Sequence, residues 1–544
     1  MEGFAEYIHS TKHRLPGETF REGMSRVASA LSSSPQHFER LRDHLLTQLI
    51  LPAGRIQLAA GSPQDITLFN CYVSGTVQDS MNGIMCSATD AATTMRKGGG
   101  LGTSFSTIRP RGARITTLNS PSSGAVSFMG IFNAVGETVS SAGERRGAQM
   151  GTLRVSHPDV EEFIGAKSMA GVLSNFNVSV AVTDEFMKAV EADTTFNLEF
   201  DGIVYKQVRA RSLWDKIMRA TWDWAEPGIL FIDRINEMNN LQYCEDIEAT
   251  NPCGEQPLPP HGACLLASYN LTKYKPGAIE DSMLDLVRAM DNAIDVSKYP
   301  LAAQEAEAHD KRRMGIGVTG LANYIETEYG YSYGSDGFLF IAEKIFKELT
   351  YSAYRASIEL AKERGPFDAF DKDSYLASEF VKTLPKDIQQ GIEQYGIRNS
   401  HLVSFAPTGT ISLTAGNVSS GIEPVFSYEY TRAVKTTEGD KIFKIQDYAY
   451  KNFGVRGKTA GQCSVDDHLE VLALATRYSD SAVSKTINIG DDVQWDEFKD
   501  VYMKAWKLGC KGCTTFRAAG KRFGILQEGS ACYIDPETGD KECS

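Results

Sequence analysis

Over the first 48 residues hydrophobic positions recur three and four apart, as in FREGMSRVASAL and FERLRDHLLTQLI, which puts them on one face of a helix. A helical segment over 1–48 is therefore expected. From residue 50 the pattern changes to short apolar runs cut by Gly, Ser, Thr and Pro. LPAGRIQLAAGSP, LFNCYVSG and RKGGGLGTSFSTIRPRGARI have this strand-and-loop texture. Longer helical patterns follow in DEFMKAVEA, SLWDKIMRATWDWA, SMLDLVRAMDNAIDVS and FLFIAEKIFKELTYSAYRASIELAKERG. Strands alternating with helices predict an α/β architecture. No internal repeat interrupts it. The closing stretch GILQEGSACYIDPETGDKECS is polar and turn-rich and reads as a mobile tail over 521–544.

Composition narrows the function classes. With 42% hydrophobic and 23% charged residues the 544-residue chain is ordinary globular material. Its net charge of −13, with no basic block, excludes a non-specific nucleic-acid binder, because phosphate-neutralising charge is lacking. A small anionic substrate held by local backbone amides is still compatible. No apolar run is long enough to span a membrane, and MEGFAEYIHSTKHR lacks a signal-peptide core, so a soluble cytoplasmic protein is expected. Ten cysteines in such a chain point to catalysis, redox exchange, metal binding or packing rather than to a disulfide scaffold.

The densest candidate site is ATNPCGEQPLPPHGACLLASYNL, residues 249–271. Asn251, Cys253 and Glu255 alternate, so an extended segment would put all three side chains on one face. A thiol between an amide and a carboxylate can exchange a hydrogen while its neighbours hold and protonate a polar substrate. Cys264 follows after a Gly- and Pro-bearing stretch long enough for a hairpin to return it to the same pocket.

This segment resembles the finger loop of ribonucleotide reductase catalytic chains, which runs up the centre of a ten-stranded α/β barrel. Further blocks resemble the family in the same order: LFNCYVSG, RKGGGLGTSFSTIRPRGARI as its effector-side loop, HDKRRMGIGVTGLANYI, and APTGTISLTAGNVSSGIEPVF. The likeness runs from about residue 45 to 520, and implies a catalytic barrel over 49–520. It implies that Cys253 is the thiyl-radical cysteine, Glu255 the base at the ribose 3′-OH, and Asn251 a hydrogen-bonding partner of the substrate. Cys71 and Cys264 would supply two electrons and close to a disulfide.

The resemblance also implies that Pro407, Thr408, Gly409, Thr410 and Ile411, in APTGTIS, bind the substrate phosphates. Ala53, Asn70 and Gly254 would touch substrate as well. Asp79 and Arg109 fall where family members hold an effector deoxynucleotide or ATP, and Arg145, Arg146 and Gln149 lie in the loop that links this site to the substrate base. A homodimer is implied.

Family members with an overall activity switch carry an N-terminal ATP-cone domain. Here the redox strand arrives at Cys71, so specificity control without a dATP off-switch is expected. Two-subunit members place stacked tyrosines near the C-terminus, where WKLGCKGCTTFRAAGKR reads Thr514 and Thr515. Neither hydroxyl relays an oxidation as a phenol does. The motifs PTGTIS and GCKGCTTFR look more like the adenosylcobalamin-dependent branch. The alternative is a small radical-generating partner subunit.

Cys510 and Cys513 form one Cys-x-x-Cys, short of a four-cysteine zinc site. No metal ligand set is assigned. Cys532 and Cys543 read as the shuttle that re-reduces Cys71 and Cys264, itself served by a thioredoxin- or glutaredoxin-like protein. Cys86, Cys244 and Cys463 are assigned to packing. Two other classes are weaker. Another glycyl- or thiyl-radical barrel enzyme would need a C-terminal radical glycine segment, and a nucleotide-binding regulator would not need Asn251, Cys253 and Glu255 beside two cysteine pairs.

Overall fold

The computed structural model describes residues 3–139, 148–168, 171–436, 439–490, 493–517, 533–534 and 541–542. Arg145, Arg146, Cys532 and Cys543 lie outside the described residues.

Three helices open the chain: Gly3–Lys12, Phe20–Leu31 and Pro35–Leu46. The second starts at a capping box in which Thr19 and Glu22 satisfy each other's backbone amides. It buries Met24, Val27, Ala28 and Leu31, the three-and-four spacing read from the sequence. Ser34 caps the third, with Pro35 at its first position. Leu41 and Leu45 join the same contiguous core as the rest of the chain. The helices Ala278–Val296 and Asp336–Arg364 pack against each other within that core.

Among the described residues the two largest sheets have eight and three strands, and the remaining strands pair in twos. In the larger, Cys71–Val73, Gly100–Ser104, Gln149–Arg154, Phe176–Val182 and Gly228–Phe231 run parallel in that order. Ala263–Cys264 pairs antiparallel at one edge. At the other, Gly512–Arg517 is antiparallel to Gly228–Phe231 and carries Thr486–Ile489. Phe176–Val182 is buried at every position but Asn177, with even Ser179 enclosed, as expected of a parallel strand covered on both faces.

The smaller sheet holds Ile50–Pro52, Leu266–Asn270 and Gly315–Thr319. Single bridges extend it, from Ile316 to Val403 and from Phe405 to Val483. This is a mixed α/β fold. Among the described residues no helix is long and apolar enough to cross a membrane.

Candidate active site

A short hairpin stands over the larger sheet. Ala249–Thr250 pairs antiparallel with Pro257–Leu258 and carries the turn of residues 251–256. The strand beneath tolerates this approach only because residue 102 is glycine: a Cβ there would sit 1.9 Å from the Thr250 carbonyl oxygen. The glycine-rich stretch read as part of an effector-side loop thus forms, in its first half, the floor under the hairpin.

The turn corrects the reading of Asn251, Cys253 and Glu255 as one face of an extended segment. The Gly254 amide donates to the Asn251 carbonyl at 3.1 Å, and Gly254 adopts φ +83°. The Gln256 amide donates to Asn251 Oδ1 at 3.0 Å. These bonds close the loop on itself, as Asn side chains often do in turns. Asn251 and Glu255 are therefore buried, while Cys253 is exposed at the tip.

Glu255 is held by its backbone. Its carbonyl accepts from Ser404 Oγ at 2.9 Å and from the Ala482 amide at 3.0 Å. Its Oε2, the Asn251 Nδ2 and the Asn70 Oδ1 are buried without a hydrogen-bond partner among the described residues. Burial pushes the carboxyl up to about 7. A carboxyl near neutrality beside unsatisfied polar atoms can accept a proton from a bound hydroxyl.

Cys71 and Cys264 are direct Cα partners across antiparallel strands. Such pairs are about 4.5–5.5 Å apart at Cα, within the range a disulfide spans. Burial raises the Cys264 thiol well above its usual value, and the nearby charges of Glu255, Cys71 and Cys253 add to it. Cys71 Sγ and Pro252 Cγ each lie 3.2 Å from where a Cβ on Gly100 would stand, which puts this sulfur under the turn. The fold thus gathers Asn251, Cys253, Glu255, Cys71 and Cys264 into one site. Asn70 joins it, its amide donating to the Cys264 carbonyl at 3.1 Å.

The segment 407–411 runs into the helix Gly409–Thr414. Thr408 sits at φ +55°, its hydroxyl 2.9 Å from Thr319 Oγ1 and accepting from the Gly421 amide at 2.7 Å. Ile411 is buried, whereas Gly409 and Thr410 are exposed. Ala53 is buried, its amide donating to the Leu266 carbonyl.

Arg109 Nε donates to Asp79 Oδ2 at 2.6 Å, so these two candidates form an ion pair. Gln149 is not in an open loop: it is buried in the strand Gln149–Arg154 and donates to the Phe132 carbonyl at 2.9 Å. Thr514 is exposed, while Thr515 is buried with its hydroxyl 3.0 Å from Tyr502 Oη.

Cys463, Cys510 and Cys513 are buried in the core, but Cys86 and Cys244 are exposed, contrary to the packing role expected of them. Sequence reasoning missed Gly102, Ser404 and Ala482. The first left a trace, as one of a run of glycines on a strand; the others act from distant segments and left none.

A buried carboxyl, a tip thiol and a cross-strand dithiol stand together, a set of groups capable of oxidoreductase chemistry. Comparison with known proteins agrees. The family description "Ribonucleotide reductase, barrel domain" matches residues 69–516. A "Vitamin B12-dependent ribonucleoside-diphosphate reductase" of Mycobacterium tuberculosis is 33% identical, the alignment covering 96% of this chain and 77% of that protein. One of the same description from Thermoplasma acidophilum is 32% identical, covering 95% and 70%. A "Ribonucleoside-diphosphate reductase subunit alpha" of Synechocystis sp. is 25% identical, covering 94% and 75%. The chain belongs to the ribonucleotide reductase family, and is a catalytic chain of that oxidoreductase.

Proposed function

We propose that this chain reduces ribonucleotides to 2′-deoxyribonucleotides through a thiyl radical on Cys253, with adenosylcobalamin as the radical source and no radical-generating partner subunit. The observation that carries the reading is the turn 251–256, which exposes Cys253 at its tip, buries Glu255 and lies close to the Cys71–Cys264 pair. The names of the relatives from M. tuberculosis and T. acidophilum support both the cofactor and a diphosphate substrate. Thr514 and Thr515 support it too, since a threonine hydroxyl cannot serve as the last step of an oxidation relay.

The site fits a bulky group approaching the tip. Cys253 is exposed, and Gly254 beside it has nothing within 4 Å of where a Cβ would be. Cys253 is the residue that would meet the cofactor. Adenosylcobalamin, when bound, supplies a cobalt–carbon bond whose homolysis furnishes the radical.

The residues then divide the chemistry. The Cys253 sulfur takes the hydrogen atom from ribose C3′ and returns it at the end. Glu255 takes the proton of the 3′-OH, and Asn251 hydrogen-bonds the substrate. The 2′-OH leaves as water with a proton from the Cys71–Cys264 pair. The pair's second hydrogen ends on C2′, and its two sulfurs join. The balance is ribonucleotide plus dithiol giving deoxyribonucleotide, disulfide and water.

Residues 407–411 hold the phosphates, with backbone amides at the start of Gly409–Thr414 aimed at them. Asp79 and Arg109, with the loop bearing Arg145 and Arg146, take a deoxynucleotide or ATP effector. Cys532 and Cys543 pass electrons from a thioredoxin-like protein. The barrel closes with ten strands, a reading supported by the bridges at Ile316–Val403 and Phe405–Val483, which extend the smaller sheet to within three residues of Thr486–Ile489 in the larger.

The test is anaerobic turnover of CDP by the purified chain with adenosylcobalamin and a small dithiol. Formation of dCDP is expected. A requirement for a second, metal-containing protein with indifference to cobalamin would replace the radical source, and inactivity under both conditions would overturn the reading.

A further inference from the structure

The N-terminal segment reaches the phosphate end of this site from outside the span matched by the family description. The helix Gly3–Lys12 packs against Gly409–Thr414, and the residue that follows it, His13, is buried there. His13 Nε2 lies 3.3 Å from Thr410 Oγ1. Its Nδ1 is buried without a partner among the described residues. The ring has room because residue 54 is glycine: a Cβ there would stand 2.5 Å from His13 Nε2.

The hydroxyls of the loop are not equivalent. Thr408 is committed to Thr319 and Gly421, and Ser412 donates to the Gly409 carbonyl and meets Ser420. Thr410 alone of the three is exposed, with the imidazole behind it.

The partners of His13 fix its proton. Burial, and then the charge of His9, lower its pKa to about 3, so the ring is neutral and carries one N–H. A proton on Nδ1 would be a buried orphan donor, which proteins avoid more strictly than an orphan acceptor. Nε2 therefore carries it and donates to Thr410 Oγ1. That turns the threonine's own proton outward. Arg14 next door is bonded to Glu6, so the contact offered to the loop is the neutral ring.

We propose that His13 is a positioning residue for substrate binding: it orients the Thr410 hydroxyl as a donor to a phosphate oxygen of the nucleotide. The proposal rests on the reading of 407–411 as the phosphate loop.

The experiment uses the full chain and measures the dissociation constant for CDP by calorimetry, with the thermal midpoint as a check on folding. Glutamine can put an N–H where Nε2 stands, whereas asparagine can reach only the Nδ1 position. Thr410→Val should weaken binding about ten- to a hundredfold, the worth of one hydrogen bond to a charged group, and His13→Asn about three- to tenfold, the worth of the neutral bond that orients it. His13→Gln should bind nearly as the wild type. The double variant His13→Asn, Thr410→Val should be no weaker than Thr410→Val alone. Wild-type affinity in His13→Asn, failure of His13→Gln to recover, or multiplied losses in the double variant would each overturn the proposal. Wild-type affinity in Thr410→Val would instead remove the phosphate-loop reading beneath it.

Discussion

The side chains of Glu255 and Glu245 are both enclosed, yet their carboxyls behave oppositely. Burial raises Glu255 to about 7, because no cation among the described residues is set against it. Burial acts on Glu245 as well, but Arg313 and Lys311 outweigh it and hold the carboxyl down at about 2. Lys311 Nζ is 2.8 Å away, Arg313 is bonded to the same oxygen, and Asn239 donates to the other at 2.9 Å. One region spends its charges on each other and serves to hold the fold. The other leaves a carboxyl and two amide-bearing neighbours incompletely satisfied, which costs stability and leaves partners for a substrate.

The strongest way to break this comparison is at the tip itself. Cys253→Ser should leave no multiple turnover while nucleotide binding and the unfolding midpoint stay near wild type, since an O–H bond is too strong to shuttle the hydrogen. Sustained deoxynucleotide formation by that variant would end the assignment.

Glu255→Gln should cost about 10²–10⁴ in kcat, the usual range for a lost general base, and yet stabilise the protein. The folded carboxyl titrates near 7 instead of 4.5, so the folded state binds more protons and stability falls as pH rises between those values. Removing the charge should recover on the order of 3 kcal/mol at pH 8 and nothing below pH 4.5. Denaturant unfolding at the two pH values checks this. By the same linkage, wild-type activity should rise with pH through about 7.

Arg313→Met tests the other side. It leaves Glu245 buried with Lys311 alone and should destabilise by about 3 kcal/mol. The opposite sign of pKa shift gives the opposite pH dependence: the stabilisation from Glu245 is fully present above pH 4.5 and is lost as pH falls toward 2. A variant as stable as wild type at pH 7 would mean the cluster is not structural.

The smallest effect is expected at Ser404→Ala, which removes one hydrogen bond to the Glu255 carbonyl. It should cost about 1 kcal/mol in unfolding and lower kcat/KM by less than tenfold, with the pH profile unmoved.

The sequence by itself determined the elements whose cause is local. Helix Phe20–Leu31 follows from its apolar spacing and its Thr19–Glu22 cap. The cysteines and the Asn-x-Cys-x-Glu spacing marked the site, and the family likeness named it. What only the tertiary structure decided is which groups lack partners. Whether Glu255 is opposed by a cation, or Glu245 by two, depends on Lys311 and Arg313 arriving from a remote segment. That Asn251 and Glu255 turn inward while Cys253 points out depends on Gly254 and on Ser404 and Ala482 gripping the Glu255 carbonyl. That His13 stands behind Thr410 depends on a contact across 397 residues of chain. Periodicity records a residue's environment only through its own helix or strand, whereas electrostatics and hydrogen bonding act through space and are fixed when the segments pack.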